Sequence, residues 1–358
     1  MRQVARGDGT VLCLDVGMGT NDLLLWQPDE RGENQIHLVL PSTTRILARE
    51  IAEATRRGLG LVLRGELMGG GPSAKAVRRH LEAGLPVHAE PTAAQTLDDD
   101  LEEVQALGVT LVDQSEAARL VKQGHVEIRM GDLRLPELLD GLEKLGAPRP
   151  EGLAVAVQDH GQAPAGVSDR VFRFRLWAKL LEQSRRLADL FYLSEEVPPE
   201  LTRMQAVVRL VDGRLPLVAA DTGPPALWGA RLAAAAPRVL AVNYGNGHTL
   251  ASLVEGGELS GLFEHHTRLL SPDRMEAYLR RFAAGELLGQ DVFRDGGHGT
   301  LPVVAPFALE EVTLSVTGPG RARFRELRLE QHEASIHGDM MITGCWGLLE
   351  GYRARLLA

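Results

Sequence analysis

Two stretches of this chain set glycines between polar side chains: Asp15-Val16-Gly17-Met18-Gly19-Thr20 and Asn243-Tyr244-Gly245-Asn246-Gly247-His248-Thr249. Glycine serves where backbone bends sharply or comes close to a ligand. A run of turn N–H groups forms a concave anion site, and a threonine hydroxyl adds a donor. An acid at the end of the preceding strand can hold Mg2+, usually through water, because that ion keeps much of its hydration shell. Asp15 is expected to do this, with Asp22 on the same hairpin in solvent. By residue type each stretch runs strand, polar residue, glycine pair, hydroxyl, strand, with the second one residue longer. Two such hairpins facing across a cleft would grip a polyphosphate from both sides. Two unrelated tight β-hairpins are the plainer alternative.

Other reactive side chains sit at the ends of apolar runs. Asp221, in ADTGPPALWG, closes one such run and precedes a helix that begins with proline, a position that suits a helix N-cap. Several histidines fall in loops: His160, His248, His265, His266, His298 and His337. Acids accompany many of them, namely Asp159, Glu264, Asp295 and Asp339. Histidines and carboxylates are the usual ligands of Zn2+ and similar ions. No spacing here matches a known metal signature, and loop histidines also bind substrates or brace turns. On a strand, His265 and His266 would point to opposite faces. The loop in MGGGPSAKAV enters a helix N-terminus, an intrinsic anion site. It lacks the Gly-Lys-Ser/Thr ending of a Walker loop, so it reads as a contact to a second substrate or as a plain strand–helix turn.

The elements around these residues alternate. Residues 10–15, 23–26 and 36–41 predict a three-strand antiparallel meander. Strands follow at 60–68 and 86–90, with a helix between them that stops at Gly84 and another over 97–108. A stretch at 151–161, strand then loop, leads to a long amphipathic helix over 175–193, a strand over 214–221 and a helix over 224–236. Strands at 238–242 and 250–254 flank the second glycine turn. A helix starts at Ser271-Pro272, a strand over 311–316 ends in Thr317-Gly318-Pro319-Gly320, and a closing helix spans 340–358. Such alternation predicts an α/β chain.

With 358 residues, the chain has room for two domains. A formal net charge of -9 argues against sequence-independent nucleic-acid binding, and Arg78-Arg79-His80 reads as the wet side of a helix. The two cysteines, Cys13 and Cys345, support neither a disulfide framework nor a thiolate cluster, and read as buried packing residues. No apolar run approaches a membrane span, and the N-terminus has no apolar signal core, so a cytoplasmic location and no membrane partner are expected.

The ordered motifs resemble the superfamily of acetate and sugar kinases, heat-shock chaperone ATPases and actin. The resemblance implies two ribonuclease H-like domains, residues 1–222 and 223–358, with ATP and Mg2+ in the cleft between them. Asp15 to Thr20 would be the first phosphate motif, with Gly17, Gly19 and Thr20 as contacts. Asn243 to Thr249 would be the second, with Asn243, Gly245, Gly247 and Thr249 as contacts. VTGPGR, with Gly318 and Gly320, would be the adenosine turn. Asp221 would be the general base, and connecting helices would follow Asp221-Thr222 and occupy 344–351. Asn243 stands where many members have aspartate, which removes a second charge near Mg2+.

More narrowly, DVGMGTNDLLL, NYGNGHTL, FEHHT and GDMMITGC resemble a prokaryotic family often labelled pyruvate formate-lyase activating enzymes. Such activators hold an iron–sulfur cluster on clustered cysteines, which this chain lacks. The resemblance implies an ATP-dependent phosphotransferase acting on a small metabolite, with His248, Glu264, His265, His266 and His298 as substrate contacts. Two alternatives stand beside it: a nucleotide-driven ATPase that binds or reactivates a partner protein, and a metal-dependent hydrolase resembling hydantoinase relatives.

Overall fold

A computed structural model describes residues 9–164 and 166–356. The chain is a mixed α/β fold built on three sheets. β1 (Val11–Val16), β2 (Thr20–Trp26) and β3 (Ile36–Pro41) form the antiparallel meander that the alternation predicts. β4 (Leu61–Gly65), β5 (Val87–Ala89), β6 (Val109–Leu111) and β7 (Val126–Met130) then form a separate parallel sheet in the order β6-β5-β4-β7. β8 (Gly152–Val157), β9 (Phe191–Leu193) and β10 (Leu217–Ala220) return to the first sheet, giving β3-β2-β1-β8-β10-β9.

The second six-stranded sheet uses β11 (Arg238–Tyr244), β12 (His248–Glu255), β13 (Glu258–His266), β14 (Gly299–Leu301), β15 (Thr313–Thr317) and β16 (His332–Glu333). Its order is β14-β13-β12-β11-β15-β16. The two large sheets share a plan. In each, a three-strand meander is continued from its first strand by two parallel strands, β8 and β10 in one, β15 and β16 in the other. Each then leads into a helix, Gly223–Ala234 or Thr343–Leu356.

These two helices pack against each other between the sheets. A Cβ on Gly229 would strike the Thr343 carbonyl, and one on Gly347 would strike that of Pro225, so only glycine lets the backbones come so close. Cys13, Ala154, Val239, Ala241, Leu227 and Leu348 share the core around them. Side chains alternate across a strand. Leu12 and Leu14 of β1 accordingly fall in a second core on the opposite face, with Met204 and Val207 of the Thr202–Val211 helix.

The structure corrects three expectations about the elements. The helix expected over 175–193 spans Asp169–Gln183 instead. Beyond it the Leu259 amide donates to the Arg185 carbonyl and the Leu187 amide to that of Gly257, both at 2.8 Å. These bonds draw the chain out of the helix and feed Phe191–Leu193 onto the edge of β10. The parallel sheet β4–β7 adds elements between residues 109 and 150 that the pattern did not announce. His80 is buried rather than wet, with its ring Nδ1 2.8 Å from the Thr55 hydroxyl. No helix among the described residues is long and apolar enough to cross a membrane.

Candidate functional site

The two glycine turns have the same backbone bend. The Gly17 amide donates to the Thr20 carbonyl and the Gly245 amide to that of His248, each at 2.9 Å. The bends are therefore equal in length, and the extra residue read into the second one does not exist. β1 pairs with β2 at Asp15↔Asp22, and β11 pairs with β12 at Asn243↔Leu250. Asn243 thus stands at the place of Asp15, and His248 at the place of Thr20. Thr249 lies one step beyond, 0% exposed. Its hydroxyl is 3.0 Å from that of Thr267, which in turn donates to the Gly245 carbonyl. Thr249 braces the bend from behind and faces no ligand space.

The bends meet tip to tip: a Cβ on Gly19 would lie 3.0 Å from Asn246 Nδ2. Beside them opens a cleft of about 430 Å3. Asp15, Gly17 and Thr20 line it from one sheet, Asn243, Gly245, Gly247 and His248 from the other, with Asp221 and Glu264 at its floor. Gly318 and Pro319 of the turn after β15 also line it, whereas Gly320 packs against the Tyr244 carbonyl outside it. Leu67 to Gly71 border the same space, so the loop before the Gly71–Glu82 helix does face a ligand volume.

Acids crowd one end. Burial, then the neighbouring Asp22 and Asp221 charges, push the Asp15 carboxyl up to about 8. Burial likewise pushes Asp22 to about 6, against a hydrogen bond from Thr20. Asp22, expected in solvent, is 8% exposed and its Oδ1 is buried with no hydrogen-bond partner. Uncompensated carboxylates of this kind fit a hydrated divalent cation.

Asp221 is differently placed. Its Oδ1 accepts from Arg173 Nη2 at 3.1 Å and from the Gly223 amide at 3.0 Å. Its Oδ2 accepts from Arg173 Nη1 at 2.9 Å and from the Asp159 amide at 3.0 Å. The Gly223 bond is an Asx turn leading into the following helix. Four donors occupy both oxygens, so the group is spoken for as a proton acceptor while Arg173 stays in place. Arg173 also donates from Nε to Glu264 Oε2 at 2.7 Å and from Nη2 to Oε1 at 3.2 Å. This guanidinium, buried and fully bonded, ties β10 of one sheet to β13 of the other. Burial would raise Glu264, but Arg173 foremost, then His298 and His248, hold its carboxyl well below the usual range. Arg173 escaped the reading of the sequence because the helix was started at residue 175. The available signal was that, of the three arginines in RVFRFRLW, Arg173 stands four residues before Trp177, on the apolar face.

Above Glu264 four imidazoles gather. Ring nitrogens of His160, His248 and His298 all lie within 4.8 Å of one another. The His266 ring centroid is 4.8 Å from those of both His248 and His298. His265 alone turns to the other face of β13, 3.5 Å from Asp295 Oδ2, so it leaves the expected substrate contacts. Burial is the largest cause that pushes the clustered rings down, His160 and His266 to about 4 and His298 to about 3.

Residues 68–323 match the family described as "Putative pyruvate format-lyase activating enzyme (DUF1786)". The chain belongs to this family. The matched region holds the second bend, Asp221, Arg173 and all four clustered histidines; the first bend and the closing helix lie outside it. The activity in the description is not one these cysteines fit. Cys13 and Cys345 are both 0% exposed, and burial drives both thiols far above their usual range, so neither offers a thiolate to a cluster. No curated protein matches the chain. Among solved structures it is similar to a nucleotide-free acetone carboxylase, reported with the mechanism of ATP-dependent acetone carboxylation. The identity is 10% and the TM-score 0.23, over 71% of this chain and 45% of that one. The chain thus spans less than half the length of that relative.

Proposed function

We propose that the chain is an ATP-binding phosphotransferase with two actin-like, ribonuclease H-like lobes, residues 1–222 and 223–358, acting on a small metabolite. One observation carries this reading: two bends with the same hydrogen bond head two sheets of the same strand plan and meet at one cleft. With the Gly17 and Gly245 amides closing the bends, the Gly19 and Gly247 amides are the glycine donors offered to the oxygens of a polyphosphate. Asp15 and Asp22 are suited to hold Mg2+, which when bound neutralises phosphate charge. Gly318 and Pro319 offer an edge for the nucleoside. Phosphoryl transfer asks a protein mainly for positioning and charge stabilisation. In this reading Asp221 therefore acts by fixing Arg173 and the start of the Gly223–Ala234 helix.

A second reading has the same cleft drive domain closure for a partner protein. The neutral Asn243 at the place of Asp15 favours it, since only one hairpin brings an acid to the cation.

Calorimetric titration with a non-hydrolysable ATP analogue, with and without Mg2+, tests the shared premise. Micromolar binding that requires Mg2+ and is lost in Gly17→Val is expected. No binding at millimolar analogue would overturn both readings. ATP turnover with a metabolite panel then separates transferase from partner-driven ATPase.

A further inference from the structure

We propose that His160, His248 and His298 bind one divalent transition-metal ion of the Zn2+ class, with an open coordination position facing the cleft. The three residues come from separate places: the loop after β8, the start of β12 and the residue before β14. Nothing local in the sequence requires them to meet. Three nitrogens within 4.8 Å of one another are close to a coordination shell. Around a tetrahedral ion with bonds of about 2.0–2.1 Å, the ligand nitrogens stand about 3.3 Å apart, so modest ring rotation completes the shell.

Two further observations point to a missing partner. His298 is 3% exposed, and its Nδ1 is buried with nothing to bond; His248 Nε2 is in the same condition. A buried polar atom left unpaired costs stability, and a metal bond removes that cost. The other nitrogen of His248, Nδ1, lies 2.5 Å from Gln158 Nε2. Exchanging the amide's O and N lets Nδ1–H donate to the oxygen and leaves Nε2 a lone pair toward the cluster, the usual support for a ligating histidine.

The formal charges nearby agree. Beneath the rings, two carboxylates and one guanidinium, Asp221, Glu264 and Arg173, leave one formal negative charge to favour a cation. Imidazoles select Zn2+, Cu2+, Fe2+ or Ni2+ over Mg2+. Three protein ligands are the number found where a fourth position is kept for water or substrate. His160 and His248 both line the cleft, so the open position faces the volume where a carboxylate or carbonyl oxygen of a small substrate would enter.

The test uses the full chain, stripped with a chelator and titrated with Zn2+, then with Co2+ followed by its visible spectrum. One ion per chain is expected, with intense d–d bands of four-coordinate cobalt. His298→Ala and His248→Ala should each weaken binding by more than about 100-fold, and Gln158→Leu by about 10–100-fold, as for outer-shell partners. His332→Ala, on an exposed strand, should change nothing. Circular dichroism and thermal melts of each variant separate ligand loss from misfolding. His298→Asn, which keeps polarity and bulk, serves if alanine fails to fold. No uptake by the wild type at 10-fold excess over about 10 μM, or wild-type affinity in both His298→Ala and His248→Ala, would overturn the proposal. Nucleotide titration of the same variants is read separately, so either reading can fail while the other stands.

Discussion

The bends at Gly17–Thr20 and Gly245–His248 are alike in backbone and unlike in chemistry. Each closes with the same amide-to-carbonyl bond at 2.9 Å, and each heads a meander continued by two parallel strands, the sheets differing in one edge strand. The first is flanked by Asp15 and Asp22, the second by Asn243 and Leu250 at the paired positions. Where the first ends in a threonine, the second ends in a histidine that joins a cluster of imidazoles. Backbone geometry sets where a ligand's oxygens can sit; the side chains at the rim decide which cation accompanies them. If both proposals hold, the first bend serves a hard, hydrated ion, while His248 of the second joins His160 and His298 around a nitrogen-bound one.

Arg173 is the joint that lets these two bends face each other, and breaking it should have the largest effect. Arg173→Met leaves Asp221 and Glu264 buried without their partner, a loss of about 3–5 kcal/mol by the scale of broken buried pairs. Urea unfolding should register it; a change under 1 kcal/mol would mean the pair does not join the lobes. Asp15→Asn makes the first bend resemble the second. Nucleotide turnover should fall about 100-fold, the scale of removing one group aimed at developing charge. If Asn243→Asp leaves turnover unchanged, the asymmetry between the bends is not functional.

The shared backbone can be tested directly. A Cβ on Gly17 would meet the Thr20 carbonyl at 2.8 Å, and one on Gly245 would meet that of His248 at 2.7 Å. Gly17→Ala and Gly245→Ala should therefore each cost about 1–3 kcal/mol, as overpacking does. A difference above about 1 kcal/mol in denaturation midpoints times slope would show that the bends are not equivalent. A further effect concerns pH. Asp15 titrates near 8 in the fold and near its ordinary value, about 3.9, when unfolded. The neutral form is favoured by folding, so its contribution is complete below about pH 4 and is lost as pH rises through 8. Metal-free melting temperature should decline over that window, and Asp15→Asn should flatten the decline. An unchanged slope would remove Asp15 as its source.

Much of the scaffold was legible. β3 spans Ile36–Pro41 as its alternation predicts. The helix after Ser271 begins at Pro272, with the Ser271 hydroxyl accepting from the Arg274 amide. Period and capping are local, so they survive folding unchanged. β5 was legible despite having only three residues, but the equally short β6 was not; so short a run carries little period. Matching residue types paired Thr20 with Thr249. Only the hydrogen bond of each bend reveals that His248 is the true counterpart, because a turn is defined by closure rather than composition.

By itself, then, the sequence determined the glycine bends, the apolar strands that carry them and the presence of enough histidines and acids to bind cations. Each of these follows from backbone freedom and hydrophobic period within a few residues. Tertiary structure decided which of those groups act together. It buried Asp22, saturated Asp221 with Arg173, and turned His265 away from His266. It also collected His160, His248 and His298 from three distant segments. The reason is that burial and pairing depend on which elements pack face to face, and that is a property of the whole chain.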